Sequence, residues 1–162
     1  MSAMSAPINL LAINVGNTRT HVGAFLEGRL NAQRWLAPDA PAEVEKTLRE
    51  LCEPLRDLED AAVYLASVND PVAGRVAIAA QRISGRPVER MERDVPIPIG
   101  RHLDSGTKTG EDRLLNAAAA YDMVRSACIV VDAGTAVTVD FVDGAGTFHG
   151  GFSVMALILT AK

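Results

Sequence analysis

The sequence predicts an α/β protein made of one complete β-β-β-α-β-α unit and the opening of a second. Three observations predict it. Short β-branched or alternating runs are punctuated by Gly and Asn, and each set of three is associated with an amphipathic helix. The stretch AINVGNTRTHVGAF at 12–25 is echoed by VVDAGTAVTVDF at 130–141, so that Asn14, Gly16 and Thr20 correspond to Asp132, Gly134 and Thr138 at an offset of 118 residues. The helices due after the second set of strands are missing before Lys162. The expected domains are 7–126, and 127–162 as an incomplete second copy.

The elements follow in order. Strands are expected at 8–15, at 18–25 after a Gly-Asn turn, and at 30–36 after the turn Leu26-Glu27-Gly28-Arg29. A helix from about Pro41 follows, since Pro suits a first turn and Val44, Leu48, Leu51 and Leu55 recur at helical spacing. A strand at 61–67 leads to a helix from Asp70-Pro71 through Val76, Ile78, Ala79 and Ile83 to Gly85, with Asp70 as N-cap and Gly85 as the stop. A short strand at 87–91 comes next. Residues 94–110 carry prolines and glycines without periodicity and read as a long, functional loop. The Ala-rich segment EDRLLNAAAAYDMVR at 111–125 is a helix with Leu114, Ala118, Tyr121 and Val124 in register. Strands at 128–132, 136–142 and 147–154 complete the chain, the last two joined by Asp143-Gly144-Ala145-Gly146.

Composition narrows the function classes. A chain of 162 residues with 48% hydrophobic and 22% charged residues has the balance of a soluble globular domain. A net charge of -4 leaves no basic excess for a nucleic-acid backbone or an anionic membrane surface, so neither is expected as a partner. Cys52 and Cys128 are far apart and outside any CxxC pattern, which fits reduced core cysteines. MSAMSAP has no basic segment, and the apolar run VMALILTA falls well short of the roughly 20 residues a spanning helix needs. A soluble, cytoplasmic protein is expected.

The repeated turn has a physical use. A tight turn with Gly at its apex exposes consecutive backbone N–H groups and tolerates positive φ, making a concave anion site. Thr18, Thr20, Thr135 and Thr138 add hydroxyl donors, and a carboxylate ending the first strand can hold a cation. Two such hairpins facing each other across a cleft would grip a polyphosphate, and phosphoryl transfer is mostly positioning and charge neutralisation. Ordinary turn chemistry accounts for either hairpin alone; the matched pair favours phosphate.

TGEDRLLNAAAAY at 109–121 ends a Gly-containing loop and opens a helix. Thr109 or Gly110 can cap, and Glu111 and Asp112 suit the helix dipole. Arg113 does not suit it. Beside a loop, an Asp-Arg pair fits substrate handling: Arg binds a carboxylate bidentately while Asp accepts a hydroxyl proton.

Asn-Val-Gly-Asn-Thr from Asn14, Gly-x-Asp-Arg-x-x-Asn-x-x-Ala-Ala from Gly110, Asp-x-Gly-Thr-Ala-x-Thr-x-Asp from Asp132, and Gly150-Gly151 together resemble the type III pantothenate kinases. The resemblance runs from Asn9 to Gly151. It implies the duplicated, ribonuclease H-like ATPase fold of the acetate and sugar kinase, Hsp70 and actin superfold. It implies transfer of the ATP γ-phosphate to the terminal hydroxyl of pantothenate in coenzyme A synthesis, with Mg²⁺ and a monovalent cation (K⁺ or NH₄⁺), in a homodimer. On this resemblance Asn14, Val15, Gly16, Asn17, Thr18, Arg19, Thr20 and His21 form the first ATP-phosphate loop, with Asn14 also in the place of a Mg²⁺ ligand. Thr135 contacts ATP in the second loop and Asp132 holds the monovalent cation. Gly110, Glu111, Asp112 and Arg113 line the pantothenate site, Asp112 as catalytic base and Arg113 on the carboxylate.

The chain departs from the family pattern. Asn14 stands where the family has Asp, which removes a charge. Ser153, Met155 and Ala156 stand in the Ile, Pro and Gly places of Gly-Gly-x-Ile-x-Pro-Gly, the loop before Gly110 lacks an expected tyrosine, and the chain ends about a third early. An alternative is therefore a catalytically impaired nucleotide-binding or regulatory protein on the same fold. A kinase of this superfold acting on another small hydroxyl acid is a further one.

Overall fold

The computed structural model describes residues 8–37, 40–134 and 136–155. By contact, the chain divides into two compact units, Met1–Val95 and Pro96–Lys162.

The first unit is a five-stranded mixed sheet with two helices on one face. Strands β1 (Leu10–Val15), β2 (Thr20–Leu26) and β3 (Arg29–Leu36) form an antiparallel meander; β4 (Ala62–Ser67) lies parallel to β1 on its other side, and β5 (Val88–Arg90) parallel to β4. The order is β3-β2-β1-β4-β5. Leu11, Ile13 and Val15 alternate inward on β1, beside Val22 and Ala24 on β2 and Val63 and Leu65 on β4. Helix α1 (Pro41–Cys52) adds Val44, Leu48 and Leu51, and α2 (Asp70–Ser84) adds Val72, Ala73, Val76 and Ala80. A 3-10 turn, Glu53–Leu55, buries Leu55 below α1. The Arg86 guanidinium donates to the Ala61 carbonyl at 2.8 Å and to the Leu58 carbonyl, tying down the segment between that turn and β4.

Helix ends follow local chemistry, with one shift from expectation. Asn69, not Asp70, caps α2, its side-chain oxygen accepting from the Val72 N–H at 3.4 Å; Asp70 is the first helical residue, where its charge still suits the dipole. Gly85 ends α2 as expected, at φ 69°, with its N–H on the Gln81 carbonyl. Ile78, part of the apolar spacing, is 72% exposed; the core-facing stripe runs instead through Val72, Val76 and Ala80.

In the second unit, β7 (Cys128–Ala133), β8 (Ala136–Val142) and β9 (Thr147–Met155) form a meander in the order β9-β8-β7. That order repeats β3-β2-β1. A two-residue strand β6 (Gly100–Arg101), inside what the sequence presents as a loop, pairs parallel with β9. Helix α3 (Glu111–Val124), which the sequence reading placed with the first domain, packs on β7 and β8. Leu114 and Ala117 face this sheet, and Val124 is exposed. The opposite face of the sheet carries Ile129, Val131, Phe141, Phe152 and Val154, all exposed.

Gly150 and Gly151 have separate structural reasons. Gly150 lies next to a β-bulge at φ 78°, and a Cβ on Gly151 would collide with the Val139 carbonyl. Cys52 is buried and Cys128 half-buried, and both are free thiols. Burial pushes the Cys52 thiol up, which suits an inert core residue. Among the described residues no helix is long and apolar enough to cross a membrane.

Two stability predictions follow from polar groups in this frame. Thr20 is fully buried and its hydroxyl has no hydrogen-bond partner among the described residues. Thr20→Val keeps the shape and removes an unpaired group, so thermal unfolding should show a gain of about 1 kcal/mol. At the β8–β9 turn, Asp143 Oδ1 accepts from the N–H groups of Ala145 and Thr147, both at 2.9 Å, and Oδ2 meets His149 Nε2 at 2.8 Å. The His149 hydrogen bond first, and then the backbone N–H groups, lower the Asp143 pKa to about 2. A depressed carboxylate pKa stabilises the fold above its ordinary value of 3.8 and loses that contribution as pH falls through about 2. Urea unfolding at pH 5 and pH 2.5 should therefore show a smaller acid-side loss in Asp143→Asn than in the parent chain.

Candidate functional site

Two polar clusters gather the residues singled out from the sequence, one in each unit. In the first unit the β1–β2 turn is closed by the Gly16 N–H on the Arg19 carbonyl at 2.9 Å. A Cβ on Gly16 would come within 3.0 Å of that carbonyl, so a side chain there would strain the turn. Asn14, Asn17, Thr18 and Arg19 are exposed, whereas Val15 and Thr20 turn fully into the core. Asn14 pairs with His21 across β1–β2, and His21 with Trp35 across β2–β3, which puts the three in one row on the face away from α1 and α2. His21 stacks on Trp35 with ring centroids 3.6 Å apart, and the Arg19 guanidinium carbon lies 5.6 Å from the Trp35 ring centroid.

In the second unit α3 begins at the cluster. Gly110, in extended conformation, caps the helix without a side-chain bond; Glu111 and Asp112 follow in its first turn. Asp112 is half-buried and its Oδ1 accepts from the Arg113 N–H at 2.9 Å. The Arg113 side chain donates Nε to Asp140 Oδ2 at 3.0 Å and Nη2 to Asp140 Oδ1 at 2.5 Å. Asp140 is 2% exposed. These hydrogen bonds outweigh desolvation and raise the Arg113 pKa above its ordinary value. One turn further, Asn116 Nδ2 donates to Asp132 Oδ2 at 3.0 Å, and Asp132 is paired across the sheet with Thr138. Thr135 lies outside the described residues, as does Ala156.

The two hairpins are not superimposable residue for residue. Val15 pairs with Thr20, but Ala133 pairs with Val137, so the second turn is one residue shorter. Side chains alternate with period two, and a one-residue change therefore reverses facing. Thr20 points into the core; Thr138 shares a face with Asp132 and Asp140. The correspondence of Asn14 with Asp132 and Gly16 with Gly134 holds along the first strand and turn, and the Thr20–Thr138 match does not carry a shared orientation.

In the sequence Arg113 stands out as a cation out of place in a helix first turn, whereas Asp140 and Trp35 carry no assigned role. The unfavourable cation was the legible sign of the first; nothing local signals the second. A groove of about 410 Å³ between α1 and α2, lined among others by Pro41, Val44, Val72 and Val76, contains none of the candidate residues.

A family model described as type III pantothenate kinase matches residues 10–155. The chain belongs to the type III pantothenate kinase family. Among curated members, the type III pantothenate kinase of Syntrophobacter fumaroxidans is 34% identical over 162 residues, covering 94% of this chain and 61% of that protein. That of Ruegeria pomeroyi is 37% identical over 150 residues, covering 88% and 57%, and that of Thermus thermophilus 36% identical, covering 88% and 58%. The chain thus spans about three fifths of the length of these relatives. A Campylobacter jejuni protein of the Baf family shares the fold at a TM-score of 0.52 and 19% identity, over 91% of this chain and 55% of that one. An Aquifex aeolicus Ppx/GppA phosphatase does so at 0.50 and 16%, over 91% and 52%. The fold is the α/β actin-like ATPase fold, here with two mixed sheets.

The Arg113–Asp140 pair is testable by a double-mutant cycle. Arg113→Leu leaves a buried carboxylate without its cation and should cost roughly 3 kcal/mol in urea unfolding. Adding Asp140→Leu should recover most of that loss, which a pair of independent sites would not show.

Proposed function

We propose that this chain belongs to a pantothenate kinase that transfers the ATP γ-phosphate to the terminal hydroxyl of pantothenate, the first step of coenzyme A synthesis. The observation that carries the reading is the family match across residues 10–155. The α3 cluster is consistent with it: the Asp-Arg pair stands at the head of a helix whose next turn reaches Asp132.

In this reading Asp112 accepts the proton of the attacking hydroxyl as its oxygen bonds to the γ-phosphorus and the bond to ADP breaks. Its Oδ1 is engaged by the Arg113 N–H, which orients the carboxylate. Arg113 serves the pantothenate carboxylate, and Gly110 and Glu111 complete that subsite. Because Nε–H and one Nη2–H are already on Asp140, the Nη1 N–H groups and the second Nη2 N–H are the donors offered to substrate. Residues 14–21 and Thr135 supply the two phosphate loops. Asp132, with one oxygen on Asn116, keeps a second oxygen for a monovalent cation, K⁺ or NH₄⁺, which would bring positive charge to the second hairpin. Mg²⁺ fits less well as a protein-held ion. Asn14 offers a neutral amide oxygen in the place of a carboxylate. A homodimer in the cytoplasm completes the proposal.

Asn14 favours one second reading, a nucleotide-binding protein with impaired catalysis. ADP release measured with and without pantothenate separates the two. The kinase reading expects pantothenate-dependent ADP, reduced about 10²-fold or more in kcat by Asp112→Asn. Binding of an ATP analogue with no phosphorylated product, and activity gained on Asn14→Asp, would favour the second.

A further inference from the structure

We propose that the first hairpin holds polyphosphate through the guanidinium of Arg19, set in place over the Trp35 ring, rather than through a metal ion bound by the protein. The proposal rests on residues 14–21 being a phosphate loop. Within that stretch, NVGNTRTH, there is no carboxylate, and Arg19 is the only residue with a permanent charge. A divalent ion has no anionic ligand there, while a phosphate has a cation.

The geometry holds that cation to one place. Gln33 Oε1 and His21 Nε2 are 2.9 Å apart, which fixes the imidazole. The imidazole stacks on Trp35 with the two ring planes within 5° of parallel, and the indole in turn faces the Arg19 guanidinium at cation–π distance. Gln33, His21, Trp35 and Arg19 thus form a chain of contacts running to the turn that Gly16 closes. Trp35 is 58% exposed on an edge strand, so the face it turns to Arg19 is open to solvent and to a ligand. Arg49, Arg82, Arg90, Arg113 and Arg125 all pair with carboxylates. Arg19 has no carboxylate partner among the described residues, so its forked donor edge remains for an anion that accepts two parallel hydrogen bonds, as phosphate does. The lost conformational freedom of a long side chain is met in advance by the stack, which is what preorganised binding requires.

Trp35 is the single tryptophan of the chain, so its emission reports directly on this site. The experiment titrates the full chain with sodium tripolyphosphate in EDTA and follows Trp35 fluorescence, with calorimetry alongside. The expected result is a saturable response without metal, weakened roughly tenfold or more in Arg19→Gln. It should be unchanged in Arg75→Gln, which removes the same charge from an exposed site on α2. Trp35→Phe, read by calorimetry, should bind more weakly than the parent while keeping its circular dichroism spectrum. Absence of a saturable response in both measurements overturns the proposal, and so does binding that requires Mg²⁺ or is indifferent to Arg19→Gln. Arg19-dependent binding in a chain that forms no pantothenate-dependent ADP would retire the kinase reading and leave this one standing. Turnover with Arg19-independent binding would do the reverse.

Discussion

Asp140 lies on the central strand of the β7–β8–β9 meander with almost no solvent, and a carboxylate in that position demands a cation with matching geometry. Arg113 meets the demand with two hydrogen bonds from one edge of its guanidinium. The cation comes from the first turn of α3, so the pair fixes both where that helix starts and how it is rotated. Leu114 and Ala117 then face the sheet, Asn116 reaches Asp132 a turn later, and Tyr121 packs against Gly146 and donates to the Gly144 carbonyl near the far end. Asp112 inherits its place from the same constraint, since its carboxylate leans on the Arg113 N–H. The placing of Asp112 and the packing of this unit share one anchor.

The first unit is organised differently. Its helices bury a mostly apolar face, with β1 sandwiched between an antiparallel and a parallel neighbour, and Asn14, Asn17, Arg19 and His21 lie on the other face and the turn while Thr20 is buried. Both units place a small polar residue near the end of a first strand and a Gly just after it, yet the surroundings differ in sign. Asn14 is accompanied by Arg19 and His21; Asp132 is accompanied by Asn116 and Thr138. One hairpin is electropositive and the other carries the carboxylate, a division of labour that the alignment of the two motifs does not reveal.

Much of the fold was legible because its signals are local. Apolar runs broken by Gly and Asn marked β1, β2, β7 and β8, and helical spacing of Val44, Leu48 and Leu51 marked α1. What escaped depends on partners distant in sequence. Strand β6 is two residues long and exists through pairing with β9, so nothing in Gly100–Arg101 announces it. The rotation of α3 follows from Asp140, twenty-seven positions beyond Arg113, and Ala-rich periodicity alone leaves it ambiguous. The His21–Trp35 stack arises from strand register, which no residue in either strand dictates by itself. Asn69 displaced Asp70 as the cap because two adjacent residues both suit the role, and only the path of the chain into α2 decides between them.

The one-residue difference between the two turns also bears on how the halves can change over evolutionary time. Two copies of a segment ordinarily invite exchange by recombination, which keeps repeats alike. Here, importing the shorter turn into the first hairpin would advance every residue of β2 by one position, sending Val22 and Ala24 outward and His21 into the apolar core. Such a recombinant loses its core at a stroke. The copies are therefore insulated from mutual correction, and each hairpin is left to drift towards its own charge.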